Sequence, residues 1–297
     1  MNMPKFSKNR FLAVFSILSI ASICPVEPAS SYAAVAAPIT APSAILIDQS
    51  TNRVLYSKTP NLRRAPASTT KLLTALVVIQ NMDINQIVTV PASVVKVEPS
   101  KVHLRTGERY RVRELLRALL INSANDAAEA LAIAAAGSRS KFAGLMNRQA
   151  YSIGCRGSHF LNPSGLPAAG QYSTAMDMAI IMREVQKYPF LVQTLETRTL
   201  TIKSTAGRKI FLRNHNKMLF RGHREVVGKT GWTRAARHCF VGQINAMNHK
   251  VFVAMLGSHR LWKDLMALVH YQFGMSFSKA KTPRKISGRK EKARKRR

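Results

Sequence analysis

The sequence predicts a mixed α/β (α+β) sandwich, in which an antiparallel sheet is flanked by helices and accompanied by a helical subdomain. Two observations predict this fold class. Strand patterns lie toward both ends of the folded part of the chain, and helical patterns fill its middle. The apolar fraction of 46% is ordinary for a protein that buries a core. This order of elements disfavours a doubly wound sheet.

The elements follow from local patterns along the chain. A hairpin is predicted from Ala44–Asp48 and Arg53–Tyr56, with turn residues at 50–52. Apolar residues at helical spacing predict helices over 68–80, 113–121, 126–136 and 174–187. Gly137 ends the third helix, and the fourth ends before Pro189. Strands are predicted over 198–203, 209–213, 225–231, 238–246 and 250–257, and a last helix over 261–273.

The N-terminal 37 residues have the order of a secretory signal peptide and linker. Three basic residues within the first ten precede an apolar run over 11–26, and small residues follow. The run is shorter than the roughly 20 residues of a spanning helix, and an uncleaved anchor is the open alternative. We therefore expect an exported protein, periplasmic or otherwise extracytoplasmic, with membrane association left open. The folded domain is expected over 38–275.

The C-terminal residues 276–297 form a basic tail. They contain eleven Lys and Arg and one Glu. Because they also contain very few apolar residues, they cannot bury enough surface to fold. The whole chain carries a formal net charge of +32, which favours contact with polyanions. Because the signal peptide indicates export, we expect no nucleic-acid partner. We expect weak, salt-sensitive contact of the tail with anionic membrane or wall polymer.

The cysteines leave two alternatives open. Removal of the signal peptide leaves Cys155 and Cys239, which could pair in an oxidising compartment. Two buried free thiols are the favoured interpretation. Neither a CxxC motif nor a cluster of His and Cys is present, so no metal or other cofactor is predicted.

Ser68 and Lys71 are the first candidate catalytic pair. They are three residues apart at the start of an apolar helix, so both side chains lie on one face. Burial of that helix would desolvate the lysine and lower its pKa, and a neutral lysine can take the proton of the serine hydroxyl. The same S-x-x-K spacing recurs elsewhere in the chain. The alternative is a helix cap followed by a solvated lysine.

Two further motifs accompany this pair. Ser123 and Asn125 lie at a break between two helices, where they could project into a cleft or simply cap a helix. Lys229, Thr230 and Gly231 lie on a predicted strand. Glycine in a strand is costly unless another backbone approaches closely, as a peptide bound along the strand would do. The lysine and the hydroxyl beside the glycine would suit the free carboxylate of such a peptide. The alternative is a turn with a surface lysine.

The three motifs together, in this order, resemble the active-site-serine penicillin-recognising enzymes. The surrounding segments resemble the low-molecular-mass D-alanyl-D-alanine carboxypeptidase family. They are Pro66–Leu76, Leu120–Ala128, Phe160–Pro167, Tyr172–Ala175 and Val227–Thr233. The resemblance covers roughly residues 40–275. It implies a β-lactamase/transpeptidase-like catalytic domain, a peptidoglycan stem peptide ending in D-Ala-D-Ala as substrate, and sensitivity to β-lactam antibiotics.

The resemblance also implies residue roles. Ser68 would be the nucleophile, Lys71 the general base and Ser123 the proton relay to the leaving amine. Asn125 would position the substrate amide. Lys229 and Thr230, beside Gly231, would bind the terminal carboxylate, and the backbone N–H groups of Ser68 and Trp232 would form the oxyanion hole.

The resemblance is incomplete in places. Arg237 stands where members usually have glycine, and Leu261–Asp264 departs from a segment that usually bears an arginine. A D,D-endopeptidase would use the same residues and differ only in the shape of the cleft. A class A β-lactamase is disfavoured because Ser158 stands where such enzymes have a glutamate. A non-catalytic wall-binding module is the last alternative.

Overall fold

The structure is a computed structural model that describes residues 39–246 and 249–273. The predicted signal peptide and basic tail lie outside the described residues. Among the described residues, the strands in chain order are β1 (Ser43–Asp48), β2 (Val54–Lys58), β3 (Ile87–Thr89), β4 (Arg109–Arg111), β5 (Thr199–Lys203), β6 (Lys209–Arg213), β7 (Val226–Thr233), β8 (Arg237–Ala246) and β9 (His249–Ser258). The α-helices are α1 (Lys71–Asn81), α2 (Val112–Ile121), α3 (Asn125–Ala136), α4 (Arg139–Ser152), α5 (Ala175–Val185), α6 (Pro189–Glu196) and α7 (Leu261–Phe273).

The main sheet joins both ends of the folded domain. Its strand order is β2-β1-β9-β8-β7, and every neighbouring pair is antiparallel. The N-terminal hairpin therefore pairs with the C-terminal strands, and the predicted antiparallel α/β sandwich is confirmed. Strand β7, which carries the third motif, is an edge strand of this sheet among the described residues.

Both faces of the sheet are covered, as the alternation along β9 shows. Val251, Val253 and Met255 belong to one apolar cluster, together with residues of α7. The intervening side chains belong to a second, larger cluster with α5 and the helical subdomain; they are Phe252, Ala254 and Leu256. Since successive strand residues point to opposite faces, the all-apolar run of β9 is explained by burial on both sides.

The helical subdomain contains elements that the sequence patterns did not predict. Helix α4 follows α3 after Gly137, which adopts a left-handed φ of +76°, and Ser138 caps α4 by accepting a hydrogen bond from Lys141 N at 3.2 Å. Pro189, which marks the end of α5, is itself in the first turn of α6. Proline is favoured there because its missing N–H would have no helical partner.

Cys155 and Cys239 are separate, buried free thiols, so the disulfide alternative is wrong. In the part of the chain that the structure describes, no helix combines the length and apolarity that crossing a membrane requires.

Candidate active site

Ser68 lies on a short 3-10 turn, Ala67–Thr70, rather than in the α-helix that the sequence predicted to begin there. Helix α1 starts at Lys71, directly after this turn and three residues later than predicted. The turn begins at Ala67 with a left-handed φ of +48°, a conformation that disfavours residues with a Cβ atom. Ser68 therefore lies just before the start of the helix, and the side chain of Lys71 is buried in the protein interior.

Lys71 Nζ is surrounded by three oxygen atoms. It lies 3.0 Å from Ser68 Oγ, 2.7 Å from Asn125 Oδ1 and 2.7 Å from the carbonyl oxygen of Ser164. The amide oxygen and the carbonyl can only accept, whereas a hydroxyl can donate or accept. A neutral lysine therefore donates its two N–H groups to Asn125 and Ser164 and directs its lone pair toward the hydroxyl of Ser68.

The electrostatic surroundings favour that neutral form. Lys71 is fully buried, and desolvation holds its pKa well below the ordinary value. The charge of Lys229 lowers the pKa further, and Glu129 and Asp126 oppose the shift in part. The alternative of a solvated lysine behind a helix cap does not fit a side chain with no exposed surface.

Ser123 and Asn125 face the same place from the break between α2 and α3. Ser123 has a left-handed φ of +58° and accepts a hydrogen bond from Lys229 Nζ at 2.9 Å. Asn125 holds Lys71 through its oxygen and donates from Nδ2 to the carbonyl of Glu98 at 2.8 Å. The residue before α3 makes no side-chain cap, so the capping alternative does not describe this motif.

Lys229 is the second buried lysine of the site. Its side chain is 1% exposed, and its Nζ donates to Ser123 Oγ and to the carbonyl of Thr230, both at 2.9 Å. Desolvation lowers its pKa to about 7. Lys229 is thus no surface lysine. An ammonium has three N–H groups, so one is left for a bound ligand.

Gly231 lets strand β7 approach the turn that carries Ser68. A Cβ atom at this position would lie 2.9 Å from Ser68 N and 3.0 Å from Ala67 Cβ. Gly165 approaches the same turn from another side, since its Cβ would lie 1.9 Å from the carbonyl oxygen of Ala67. Glycine at position 231 therefore has the close backbone neighbour that a strand glycine requires.

The site opens into a cavity of about 560 Å³. Five of the sequence-predicted residues line it: Ser68, Ser123, Thr230, Gly231 and Trp232. The side chains of Lys71, Asn125 and Lys229 are buried behind them. Trp232 is 60% exposed at this cavity, and Trp262, the other tryptophan of the chain, lines it too. The structure thus brings all eight predicted site residues together.

Other residues of the site were not predicted. The carbonyl of Ser164 binds Lys71, and that of Glu98 binds Asn125. His215 and Lys217 line the cavity. Although His215 still reaches solvent, desolvation by its surroundings and the charges of Lys229 and Lys71 lower its pKa to about 4. Backbone acceptors leave no sequence signal, and an isolated histidine is more often structural than functional.

Within the described residues, no three His, Cys, Asp or Glu side chains converge as a metal site would require.

Comparison with known proteins agrees with this geometry. The profile of the family described as D-alanyl-D-alanine carboxypeptidase matches residues 30–260. The D-alanyl-D-alanine carboxypeptidase DacF of Bacillus subtilis is 33% identical over 248 residues, which cover 82% of this chain and 63% of that protein. The D-alanyl-D-alanine endopeptidase of Escherichia coli is 30% identical over 266 residues, covering 86% of this chain and 83% of that protein.

The solved structures include a variant of a Streptomyces DD-transpeptidase. It is 28% identical, has a TM-score of 0.74 and covers 80% of this chain and 99% of that chain. The transpeptidase-like fold is therefore shared over nearly all of that enzyme. Given the profile match over most of its length, this chain belongs to the D-alanyl-D-alanine carboxypeptidase family.

Proposed function

We propose that this chain is a serine-type D-Ala-D-Ala carboxypeptidase, which removes the terminal D-alanine from peptidoglycan stem peptides. The observation that carries the proposal is the coordination of Lys71 Nζ. Two of its three partners can only accept hydrogen bonds, and the third is the hydroxyl of Ser68. A desolvated lysine in this position is a general base directed at a nucleophile.

Acylation follows from the same geometry. Ser68 Oγ attacks the carbonyl carbon of the penultimate D-alanine, and Lys71 takes the hydroxyl proton. A C–O bond forms and the C–N bond breaks, while Ser123 relays a proton to the leaving amine. The contact of 2.9 Å between Ser123 Oγ and Lys229 Nζ supports this relay. Water then hydrolyses the ester and restores Ser68.

The remaining residues bind the substrate. The third N–H of Lys229 and the hydroxyl of Thr230 bind the terminal carboxylate. Asn125 Oδ1 keeps a second lone pair for a substrate N–H, in addition to its bond with Lys71. The N–H groups of Ser68 and Trp232 hold the oxyanion, and losing one such donor typically costs ~3–4 kcal/mol. No cofactor takes part.

Penicillins are the second class of ligand in this proposal. A β-lactam carries a reactive amide, which Ser68 would attack, and a carboxylate, which Lys229 would bind. It would acylate Ser68 and leave slowly. Residue 158 is a serine bonded to Asp177 Oδ2 at 2.6 Å, in place of the glutamate that activates a deacylating water in class A β-lactamases.

The expected place of action is outside the cytoplasm. Residues 1–37 would direct export, and the basic tail over 276–297 would hold the enzyme near anionic membrane or wall polymer. Envelope fractionation of a tail-deleted chain in low-salt buffer tests the second point. We expect the deletion to release the enzyme, and unchanged fractionation would contradict the role of the tail.

The function is tested by D-alanine release from a pentapeptide ending in D-Ala-D-Ala. We expect release by the wild type and none by Ser68→Ala. Penicillin labelling without D-alanine release would instead favour the second candidate, a D,D-endopeptidase that cuts cross-links. This second candidate is supported by the Escherichia coli relative that is named an endopeptidase and is matched over 83% of its length.

A further inference from the structure

The hairpin of β5 and β6 presents an exposed face that the proposed reaction does not use. The two strands are antiparallel, with Thr201 opposite Phe211 and Lys203 opposite Lys209. Because side chains alternate along each strand, these four residues and Arg213 point to the same side. All five are exposed. We call this side of the hairpin the basic face.

The other side of the hairpin is fixed to the core. Ile202 and Leu212 are 1% and 0% exposed, and both belong to the larger apolar cluster. The turn between the strands is held as well, because Arg208 forms a salt bridge with Glu108 at 2.7 Å. The hairpin thus buries one side in the folded domain and keeps the basic face on the outside.

The basic face carries three positive charges and no negative one. The sequences of β5 and β6 contain neither Asp nor Glu. In the part of the chain that the structure describes, no carboxylate forms a salt bridge with Lys203, Lys209 or Arg213. Among the described residues these charges are therefore not neutralised, and they favour an anionic partner.

An aromatic ring lies among these charges. Phe211 is 64% exposed, with Lys203 and Lys209 on one side of it along the hairpin and Arg213 on the other. A single exposed apolar side chain is common on protein surfaces. An exposed ring surrounded by cations has the composition of surfaces that lie at the boundary between lipid headgroups and acyl chains.

The basic face adjoins the reaction cavity. Arg213 and Arg221 line a cavity of about 630 Å³ together with His215 and Lys217. His215 and Lys217 also line the reaction cavity. A partner that covers the basic face therefore holds the folded domain by a surface that lies beside its cleft.

We propose that the basic face binds the folded domain to an anionic lipid bilayer. The headgroup phosphates pair with Lys203, Lys209 and Arg213, and the ring of Phe211 enters the boundary between headgroups and acyl chains. This contact belongs to the folded domain and is separate from the contact proposed for the basic tail. It goes beyond the proposed function, because it involves none of the reacting groups.

A bilayer fits the basic face better than a soluble anionic polymer does. The cations stand on one side of a two-stranded sheet, an arrangement that suits an extended surface of headgroups. A polymer of phosphodiesters would pair with the same cations but would leave the ring of Phe211 in water. The contribution of Phe211 therefore distinguishes the two partners.

The test is co-sedimentation of the full chain with vesicles of phosphatidylglycerol and phosphatidylcholine at constant salt concentration. Lys203→Gln/Lys209→Gln removes two charges of the basic face, and Phe211→Ser removes its ring. We expect each change to weaken binding to the phosphatidylglycerol vesicles by about tenfold or more. The first loses two attractions to an anionic surface, and the second loses the burial of an aromatic side chain.

Helix α4 supplies matched controls. Tyr151 is 66% exposed, close to the value for Phe211, and Lys141 and Arg148 are exposed basic residues of the same helix. Tyr151→Ser and Lys141→Gln/Arg148→Gln should bind the vesicles as the wild type does. The basic tail is present in every variant, so its contribution to binding is the same throughout. A melting temperature equal to that of the wild type shows that each variant is folded.

Three results would overturn the proposal. Equal losses in the α4 controls would mean that net charge and exposed rings act without regard to position. A loss in Lys203→Gln/Lys209→Gln with none in Phe211→Ser would exclude the bilayer and favour a soluble polyanion. Wild-type binding to phosphatidylcholine vesicles as tight as to phosphatidylglycerol vesicles, or to neither, would exclude an anionic bilayer as the partner.

Discussion

Lys229 offers a test of the buried lysine pair through stability rather than activity. Burial lowers the pKa of Lys229 from 10.5 to about 7, and its side chain is 1% exposed. Between these two pH values the unfolded chain binds a proton that the folded chain does not. The contribution of Lys229 to the free energy of unfolding therefore rises with pH by about 1.4 kcal/mol per pH unit within this window. Below about pH 7 the contribution of Lys229 is constant, because both states bind the proton.

Methionine has a similar length and cannot ionise, so Lys229→Met removes this contribution. Urea unfolding at about pH 7.5, 8.5 and 9.5 should give a rise that is smaller than in the wild type by about 1.4 kcal/mol per pH unit. Lys203→Met, which removes an exposed lysine of β5, is the comparison for the loss of a lysine as such. Equal slopes in the wild type and Lys229→Met would refute the reasoning, because Lys229 would then be solvated in the folded state.

Three further predictions follow from particular contacts. Gly231→Ala places a methyl group 2.9 Å from Ser68 N and should slow penicillin acylation about 100-fold by displacing β7. The control is Gly144→Ala, whose added methyl group has its nearest neighbour at 3.5 Å and should leave the acylation rate unchanged. Equal acylation rates in the two variants would contradict the close approach of β7 to Ser68. Arg237→Gly relieves a left-handed φ of +59° and should raise the free energy of unfolding by about 0.5–1 kcal/mol in urea; a decrease would mean that the arginine side chain matters more than the backbone. Asp264 Oδ2 accepts four hydrogen bonds that connect residues 40–41 and 258 to α7, and Asp264→Asn replaces this charged acceptor with a neutral amide. Thermal unfolding should show a free energy of unfolding that is lower by about 1–3 kcal/mol, with the rate of penicillin acylation unchanged. An unaltered melting temperature would exclude this stabilising role.

The sequence predicted the parts of this fold that local patterns determine. The strand over 209–213 and the helix over 261–273 have the predicted bounds, because a short apolar run between basic residues marks the strand and helical periodicity marks the helix. Helix α4 was missed because its apolar residues form a weak stripe, with Phe142 and Met146 as its large buried side chains. Its existence depends on packing against α1 and α3, which no local pattern encodes.

The same distinction applies to the site. Motif order indicated that Ser68, Ser123 and Lys229 would meet, and the structure brings them to one cavity. The third partner of Lys71 is the backbone carbonyl of Ser164, which lies 93 residues farther along the chain. Every residue has a backbone carbonyl, so no residue type in the sequence indicates this contact. The sequence could not predict the cavity that Arg213 and Arg221 line, because they are two arginines among many in a basic sequence. Only the folded chain shows which charges face a shared space.

The central claim is that Ser68 is a nucleophile activated by a neutral Lys71. Mass spectrometry of the protein after incubation with benzylpenicillin, followed by peptide mapping, tests it most directly. The account predicts one adduct per chain on the peptide that contains Ser68, absent in Ser68→Ala and strongly reduced in Lys71→Met. An adduct on another residue, or none on the folded wild type, would contradict the account.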